Sequence, residues 1–307
     1  MKSIAAIYIT LILMAATCNQ SPQAQHTVGY YSQGYAVPYL LDKPDKLIEL
    51  PHSLKEISGL TYSTELNILY CINDEEGYIY ALSLDSGQVI DKISFGKRDD
   101  YESIAYQDGI IYVAESNGNV KVVSESNSKK IAEYDDILSH ANDIEGATYD
   151  PSTGHLLLAA KGNSKTKGNN RGRKAVFSMN TDNGAVSDSP TLSINAMAAL
   201  EMLLHDDPTS NTEIGMNKTS RVRDFAPSGI AIHPFTKEIY LISARGKLML
   251  VSTPNGDIKA ITFLDQDSNT QPEGICFSPD GTLYISNEGK YNSGTISVFS
   301  YHDAGAK

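Results

Sequence analysis

A six-residue pattern recurs five times along the chain and constrains its fold more than any other feature. The copies are Ile57-Ser58-Gly59-Leu60-Thr61-Tyr62, Tyr101-Glu102-Ser103-Ile104-Ala105-Tyr106, Ile144-Glu145-Gly146-Ala147-Thr148-Tyr149, Pro227-Ser228-Gly229-Ile230-Ala231-Ile232 and Pro272-Glu273-Gly274-Ile275-Cys276-Phe277. Each is followed by a polar turn, such as Asp150-Pro151-Ser152-Thr153-Gly154 or Ser278-Pro279-Asp280-Gly281, and then by a second apolar run. Turn-forming residues between two short apolar runs predict a hairpin. A third run follows, as in Tyr78–Leu84, Val120–Ser124 and Leu248–Ser252, and a fourth in most units, as in Val89–Phe95 and Ile258–Leu264. Four short strands in a repeat of roughly forty residues predict a β-propeller blade, a unit that buries its sheet faces only by stacking on its neighbours.

The second residues of the copies, Ser58, Glu102, Glu145, Ser228 and Glu273, lie 44, 43, 83 and 45 residues apart. The long interval could hide a sixth blade, but its sequence favours an insertion. Gly162–Lys174 reads as a long loop. Asn195–His205, rich in Ala, Leu and Met, reads as a short helix, and Asp206–Arg223 as polar loop. The fold class expected is therefore all-β: a propeller of five four-stranded blades, with six less favoured. The last unit has only three strands, and Leu47–Leu50 ahead of the first unit matches the missing one. Pairing the two closes the ring and removes exposed edges.

The N-terminus carries Lys2 and then an apolar stretch, Ile4 to Ala16, too short to span a bilayer of about 20 residues and suited to a signal peptide. It ends in Ala15-Ala16-Thr17-Cys18, which resembles a bacterial lipobox with Cys18 as the lipidated residue; an ordinary signal peptide cut a few residues later is the alternative. The expected division is a signal peptide over 1–17, a lipid-anchored tether over 18–40 and the propeller over 41–307, with the insertion around 195–226. An exported lipoprotein of the bacterial cell envelope follows, touching the membrane through Cys18 and expected to be monomeric. The net charge of −12 argues against nucleic acid and favours cations or neutral ligands. Cys71 and Cys276 sit in apolar runs and read as buried free thiols, with a disulfide left open.

In a hairpin the start of one strand lies beside the end of the next. The first strands of a propeller line its channel, so Glu102, Glu145 and Glu273 should point toward one axis. Residues just after the second strands join them on that face: Asp74, Glu115 and Glu288 as acids, Lys161 and Arg245 as cations. Carboxylates gathered around one axis repel and raise one another's pKa unless neutralised. Either Lys161 and Arg245 do so as an ion network, or a hard divalent cation does. Ca2+ takes six to eight such oxygens, and convergent His or Cys for Zn2+ is lacking. The metal ligands expected are Asp74, Glu102, Glu145 and Glu273, with Lys161, Arg245, Glu115 and Glu288 in anion-binding or supporting positions. His155 and His233 fall in hairpin turns and read as solvated. Asp265-Gln266-Asp267-Ser268-Asn269 is not an EF-hand loop, because Thr270 stands where Gly is needed and Cys276 where the last acid is needed. The loop with Lys165, Lys167, Arg171, Arg173 and Lys174 reads as an anion clamp or a solvated surface. No nucleophile elbow, Walker loop or dinucleotide fingerprint occurs.

Pro51-His52-Ser53-Leu54-Lys55-Glu56-Ile57-Ser58-Gly59-Leu60, Asn73-Asp74-Glu75, Asp100-Tyr101-Glu102, Lys161-Gly162, Pro227-Ser228-Gly229-Ile230 and Gln271-Pro272-Glu273-Gly274-Ile275, in that order, resemble the SdiA-regulated family of bacterial propellers. The resemblance runs from about Lys46 to Phe299 and implies a five-bladed propeller with a calcium site, distantly similar to NHL-repeat and lactonase-type propellers. Ser103 departs from it, where the family usually has Gly. Two functions compete: a Ca2+-stabilised binding or scaffold module for a small-molecule or protein ligand, and a Ca2+-dependent hydrolase of esters, lactones or phosphoesters with Glu102 or Glu145 as base. The binding module is favoured, since no base or nucleophile stands out.

Overall fold

The computed structural model describes residues 29–162, 173–206, 216–290 and 292–302. Five antiparallel sheets follow one another along the chain. The first blade is β3 (Ile57–Ser63), β4 (Ile68–Asn73), β5 (Tyr78–Leu82) and β6 (Val89–Ser94), and the second is β7 (Tyr101–Gln107), β8 (Ile110–Glu115), β9 (Val120–Ser124) and β10 (Lys129–Tyr134). The third is β11 (Ile144–Asp150), β12 (His155–Ala160), β13 (Arg173–Asn180) and β14 (Leu192–Asn195). The fourth is β15 (Gly229–Ile232), β16 (Ile239–Ser243), β17 (Leu248–Ser252) and β18 (Ile258–Phe263). The fifth is β19 (Pro272–Phe277), β20 (Leu283–Asn287) and β21 (Thr295–Phe299), completed by β2 (Lys46–Glu49) from ahead of the first blade. Lys46 to Glu49 pair with Val298 to Thr295, so the ring closes as the sequence predicts, with five blades.

In every blade the first strand is innermost, and β3, β7, β11, β15 and β19 pack in a ring around the axis. The third residue of the repeat makes that ring possible. A Cβ on Gly59 would lie 2.8 Å from Ser103 Cα, one on Gly229 2.9 Å from Glu273 O, and one on Gly274 2.7 Å from Leu60 N. Each is backbone of the next blade, so a side chain at these positions would wedge the ring apart.

Farther from the axis the blades are joined by aromatic pairs. A second-strand ring packs on the first-strand ring of the next blade in Tyr70–Tyr106, Tyr112–Tyr149, Tyr240–Phe277 and Tyr284–Tyr62, with centroids 5.1 to 6.3 Å apart. Such pairs contribute about 0.5–1.5 kcal/mol beyond their buried area. The seam between the third and fourth blades replaces them with Leu157 and Ile232, which share one apolar cluster. Cys71 and Cys276 are buried free thiols in another.

Three expectations change. The segment up to residue 40 is not simply a tether. β1 (Gly29–Tyr31) adds to the outer edge of the fourth blade, pairing with Thr262 to Ala260. Tyr30, Val37, Tyr39 and Leu41 are buried there. Covering an open sheet edge and burying two tyrosines outweigh the ordering of the strap. Second, the insertion holds α1 (Ala196–Asp206) as expected but also α2 (Met216–Arg223) in what reads as polar loop. Arg221 fixes α2 by donating from Nε to Gly246 O at 2.7 Å. Third, His233 is fully buried among Tyr39, Tyr240, Phe277 and Tyr301. Its Nδ1 accepts the N–H groups of Phe235 and Thr236, both at 3.2 Å, which leaves Nε2–H to donate to Tyr39 Oη at 2.9 Å. Burial lowers its pKa to about 4, and the ring stays neutral.

Gly274→Ala should destabilise the protein by about 1–3 kcal/mol, as overpacked sites do, read as a lower midpoint in denaturant unfolding. An unchanged midpoint would show that the ring tolerates a side chain at this approach.

Candidate binding site at the channel mouth

The three repeat glutamates owe their direction to a local irregularity. In β7, Tyr101 pairs with Glu115 and Ser103 with Ala114, which leaves Glu102 as the extra residue of a β-bulge. Glu145 is the extra residue between the Ile144–Ala160 and Gly146–Ala159 pairs, and Glu273 between Pro272–Asn287 and Gly274–Ser286. A bulge re-aims one side chain out of the regular alternation. Serines hold the same position in the other two blades and tie the ring together: Ser58 Oγ donates to Glu102 O and Ser228 Oγ to Pro272 O, each at 2.6 Å.

The carboxyls feel one another. Burial raises the Glu102 pKa to about 9, helped by Glu145, Asp100 and Glu273 and opposed by Lys161. Glu273 rises to about 8, through burial first and then Glu145 and Glu288. Glu145 is also raised by burial, and its ion pair with Lys161 offsets this only in part. Burial works against the Lys161 ammonium too, but Glu145, Asp143 and Glu102 outweigh it and raise its pKa. Lys161 is thus the cation nearest this carboxylate group. Asp74, half-buried, rises to about 6 through burial, Glu56 and Glu288, and its Oδ1 is buried without a hydrogen-bond partner.

Arg245 lies at the rim, where a cavity of about 380 Å3 is shared by Glu145, Lys161, Arg245 and Glu273. Glu288 accepts a hydrogen bond from Gln271 Nε2 at the edge of the group. Glu115 does not join the ring. It is buried in its own blade, paired with Lys121 and accepting from Asn117 Nδ2 at 3.1 Å and Asn119 Nδ2 at 3.0 Å. As the last residue of β8 it finds that cation on the adjacent strand β9, a contact that blade symmetry does not foretell. Lys174 Nζ donates to Lys161 O, while residues 163–172 of the basic loop lie outside the described residues, as does Cys18. Gln271, Lys247 and Lys290 also face the cavity and were missed, since they flank the repeat and are not part of it.

The donor chemistry suits a hard cation: oxygens only, excess negative charge and an orphaned carboxylate oxygen. The spacing does not make a shell, because among the described residues no three His, Cys, Asp or Glu side chains are gathered closely enough to hold a metal. The opposite mouth is different in kind. Its cavity of about 290 Å3 is lined by Tyr62, Tyr106, Tyr149, Ile232 and Phe277, the sixth residues of the repeat, and by no carboxylate.

A family model described as SdiA-regulated matches residues 45–291. The chain belongs to the SdiA-regulated family. No curated protein matches it by sequence. Among solved structures, Myxococcus xanthus glutaminyl cyclase aligns over 85% of this chain and 97% of its own, at 13% identity and a TM-score of 0.55. A nidogen/laminin complex aligns over 75% and 72%, at 14% identity and a TM-score of 0.46. A catalytically inactive virginiamycin B lyase from Staphylococcus aureus, solved with quinupristin, aligns over 82% and 68%, at 14% identity and a TM-score of 0.43. The first of these likenesses bears on the fold alone. In this SdiA-regulated chain the departure at Ser103 is accommodated: its Oγ accepts the N–H of Ala147 in the next blade at 2.7 Å, so a hydrogen bond joins the blades where glycine does elsewhere.

The folded pKa values of Glu102 and Glu273 lie above the ordinary carboxylate value, so the folded state holds protons that the unfolded chain releases. Their contribution to stability is complete below about pH 4.5 and is lost as pH rises to between 8 and 9. In chelator, Glu102→Gln should match the parent melting temperature at pH 5 and exceed it at pH 9. A variant that melts below the parent at pH 9 would contradict the assigned direction.

Proposed function

We propose that this propeller is an exported, lipid-anchored binding module of the bacterial cell envelope whose acidic channel mouth takes a hard divalent cation, Ca2+. The observation that carries the reading is the set of three bulge-directed carboxyls, Glu102, Glu145 and Glu273, drawn from three blades toward one axis with Lys161 as their nearest cation. Their raised pKa values reflect burial first and then one another's charge, which a bound cation would neutralise. Those three residues and Asp74 would hold the ion. Bound there, Ca2+ supplies charge neutralisation and a cross-link between blades. The face around it then serves as a platform for a small-molecule or protein ligand, and the protein works as a monomer.

Binding is favoured over hydrolysis because the hydroxyls of Ser58 and Ser228, at the repeat's second position among the described residues, are committed to the carbonyls of Glu102 and Pro272 at 2.6 Å, and Ser58 stands 3.4 Å from the Glu102 carboxyl. The hydrogen-bonded pairs His155–Ser178 and His233–Tyr39 both involve histidines at the other ends of these hairpins. Fold alone does not supply a reaction.

Calorimetric titration with CaCl2 should give one site per chain. The affinity should increase from pH 6 to pH 9 as the competing protons leave, and fall at least about tenfold in Glu102→Gln/Glu273→Gln. No heat at millimolar calcium at pH 9, with no shift in melting temperature, would overturn the calcium assignment. For the anchor, the protein expressed in a bacterial host should incorporate labelled palmitate and fractionate with membranes, and Cys18→Ser should do neither. A Cys18→Ser chain that is still labelled would place the lipid elsewhere.

A further inference from the structure

The cavity beside the axis is bounded on its outer side by positive charge. Lys161 follows β12, Arg245 and Lys247 form the turn between β16 and β17, and Lys290 follows β20, so four cations from three blades face about 380 Å3 of space. Lys161 is paired with Glu145, whereas Arg245, Lys247 and Lys290 make no ion pair among the described residues. The acids of the same cavity, Glu145 and Glu273, are fewer than its cations and Glu145 is taken up by Lys161, so the outer cations repel one another at a cost that a bound anion would reduce. Lys247 registers that repulsion: burial, then Lys290 and Arg221, lower its pKa, and Asp267 offsets this only in part.

The turn fixes where Lys247 stands, and one further observation, at Gln271, points to a ligand. Lys247 adopts φ 46°, in the left-handed region, where Gly or Asn fits without strain. Its carbonyl accepts the N–H of Leu264 at 2.9 Å and a hydrogen bond from Arg221 Nη2, which fixes the turn and holds Lys247 at one place on the cavity wall. Gln271 Oε1, on the cavity wall, is buried without a hydrogen-bond partner and awaits a donor.

We infer that this cavity binds a phosphate group, either as the free ion or as the head of a small phosphomonoester. Glu273 on the same wall offsets at most one of the three unpaired positive charges, and the two or more that remain suit the nearly double charge of phosphate near pH 7 better than a single carboxylate. A P–OH or a neighbouring hydroxyl of the ligand would donate to Gln271 Oε1. The volume lies within the range of small-ligand sites and exceeds what the ion alone needs. The inference deepens the binding role proposed for this face but does not depend on calcium.

Titrations in chelator at pH 7.5 separate the two. Inorganic phosphate and glycerol phosphate should bind the full protein, and binding should weaken as NaCl is raised. Tighter binding of glycerol phosphate assigns a phosphomonoester, and equal or tighter binding of inorganic phosphate the free ion. Lys247→Gly should lose at least about tenfold in affinity while melting no lower than the parent, because glycine suits the left-handed backbone. Lys237→Gly, a second left-handed lysine (φ 59°) at the other end of the blade, should leave the affinity unchanged. No phosphate binding at millimolar concentration, unaltered affinity in Lys247→Gly, or an equal loss in Lys237→Gly would overturn the assignment. Phosphate binding without calcium binding would sink only the calcium reading.

Discussion

The close approach of the five innermost strands sets the terms for everything else in this molecule. Gly59, Gly229 and Gly274 let one blade's backbone touch the next, and Ser103 replaces that contact with a hydrogen bond to Ala147. Because these contacts sit one residue beyond the repeat's second position, the residue before them is carried to the axis. The geometry that closes the ring is therefore the geometry that gathers Glu102, Glu145 and Glu273.

Gathering them is unfavourable electrostatically. Each carboxyl is largely removed from water and lies within the field of the others, so protonation is favoured well above the usual carboxylate range. Lys161 relieves Glu145 most directly. A fold that spends stability on such a group at its axis does so at the place where ligands can change the charge. The same face carries an outer arc of Arg245, Lys247 and Lys290, so opposite signs meet across one cavity. The other mouth, walled by aromatic and aliphatic side chains, has no comparable electrostatic demand.

Much of this was legible in the chain. The repeat spacing gave five blades, Leu47–Leu50 gave the closing strand, and the composition of Asn195–His205 gave α1. These depend on local pattern and period, which sequence carries directly. The strap was missed because its apolar residues, among them Tyr30, Val37, Tyr39 and Leu41, follow neither the strand nor the helix period and match no part of the repeat. Nothing in their spacing shows that a sheet edge and the neighbourhood of His233 await them. Similarly, α2 has a polar sequence and depends on Arg221 reaching the carbonyls of a distant turn.

For the site, the sequence by itself determined which residue types recur at the repeat's second position, and hence that carboxylates from three blades face one axis. Only the tertiary structure decided how each is used. Bulges turn Glu102, Glu145 and Glu273 inward, a register effect with no residue signature. Glu115, equivalent by position to members of the ring, instead meets Lys121 on the adjacent strand and is withdrawn into its blade. Lys247 and Lys290 reach the cavity from separate turns. A side chain's direction and its counter-charge arise from contacts between segments far apart in sequence, and those contacts form only when the ring closes.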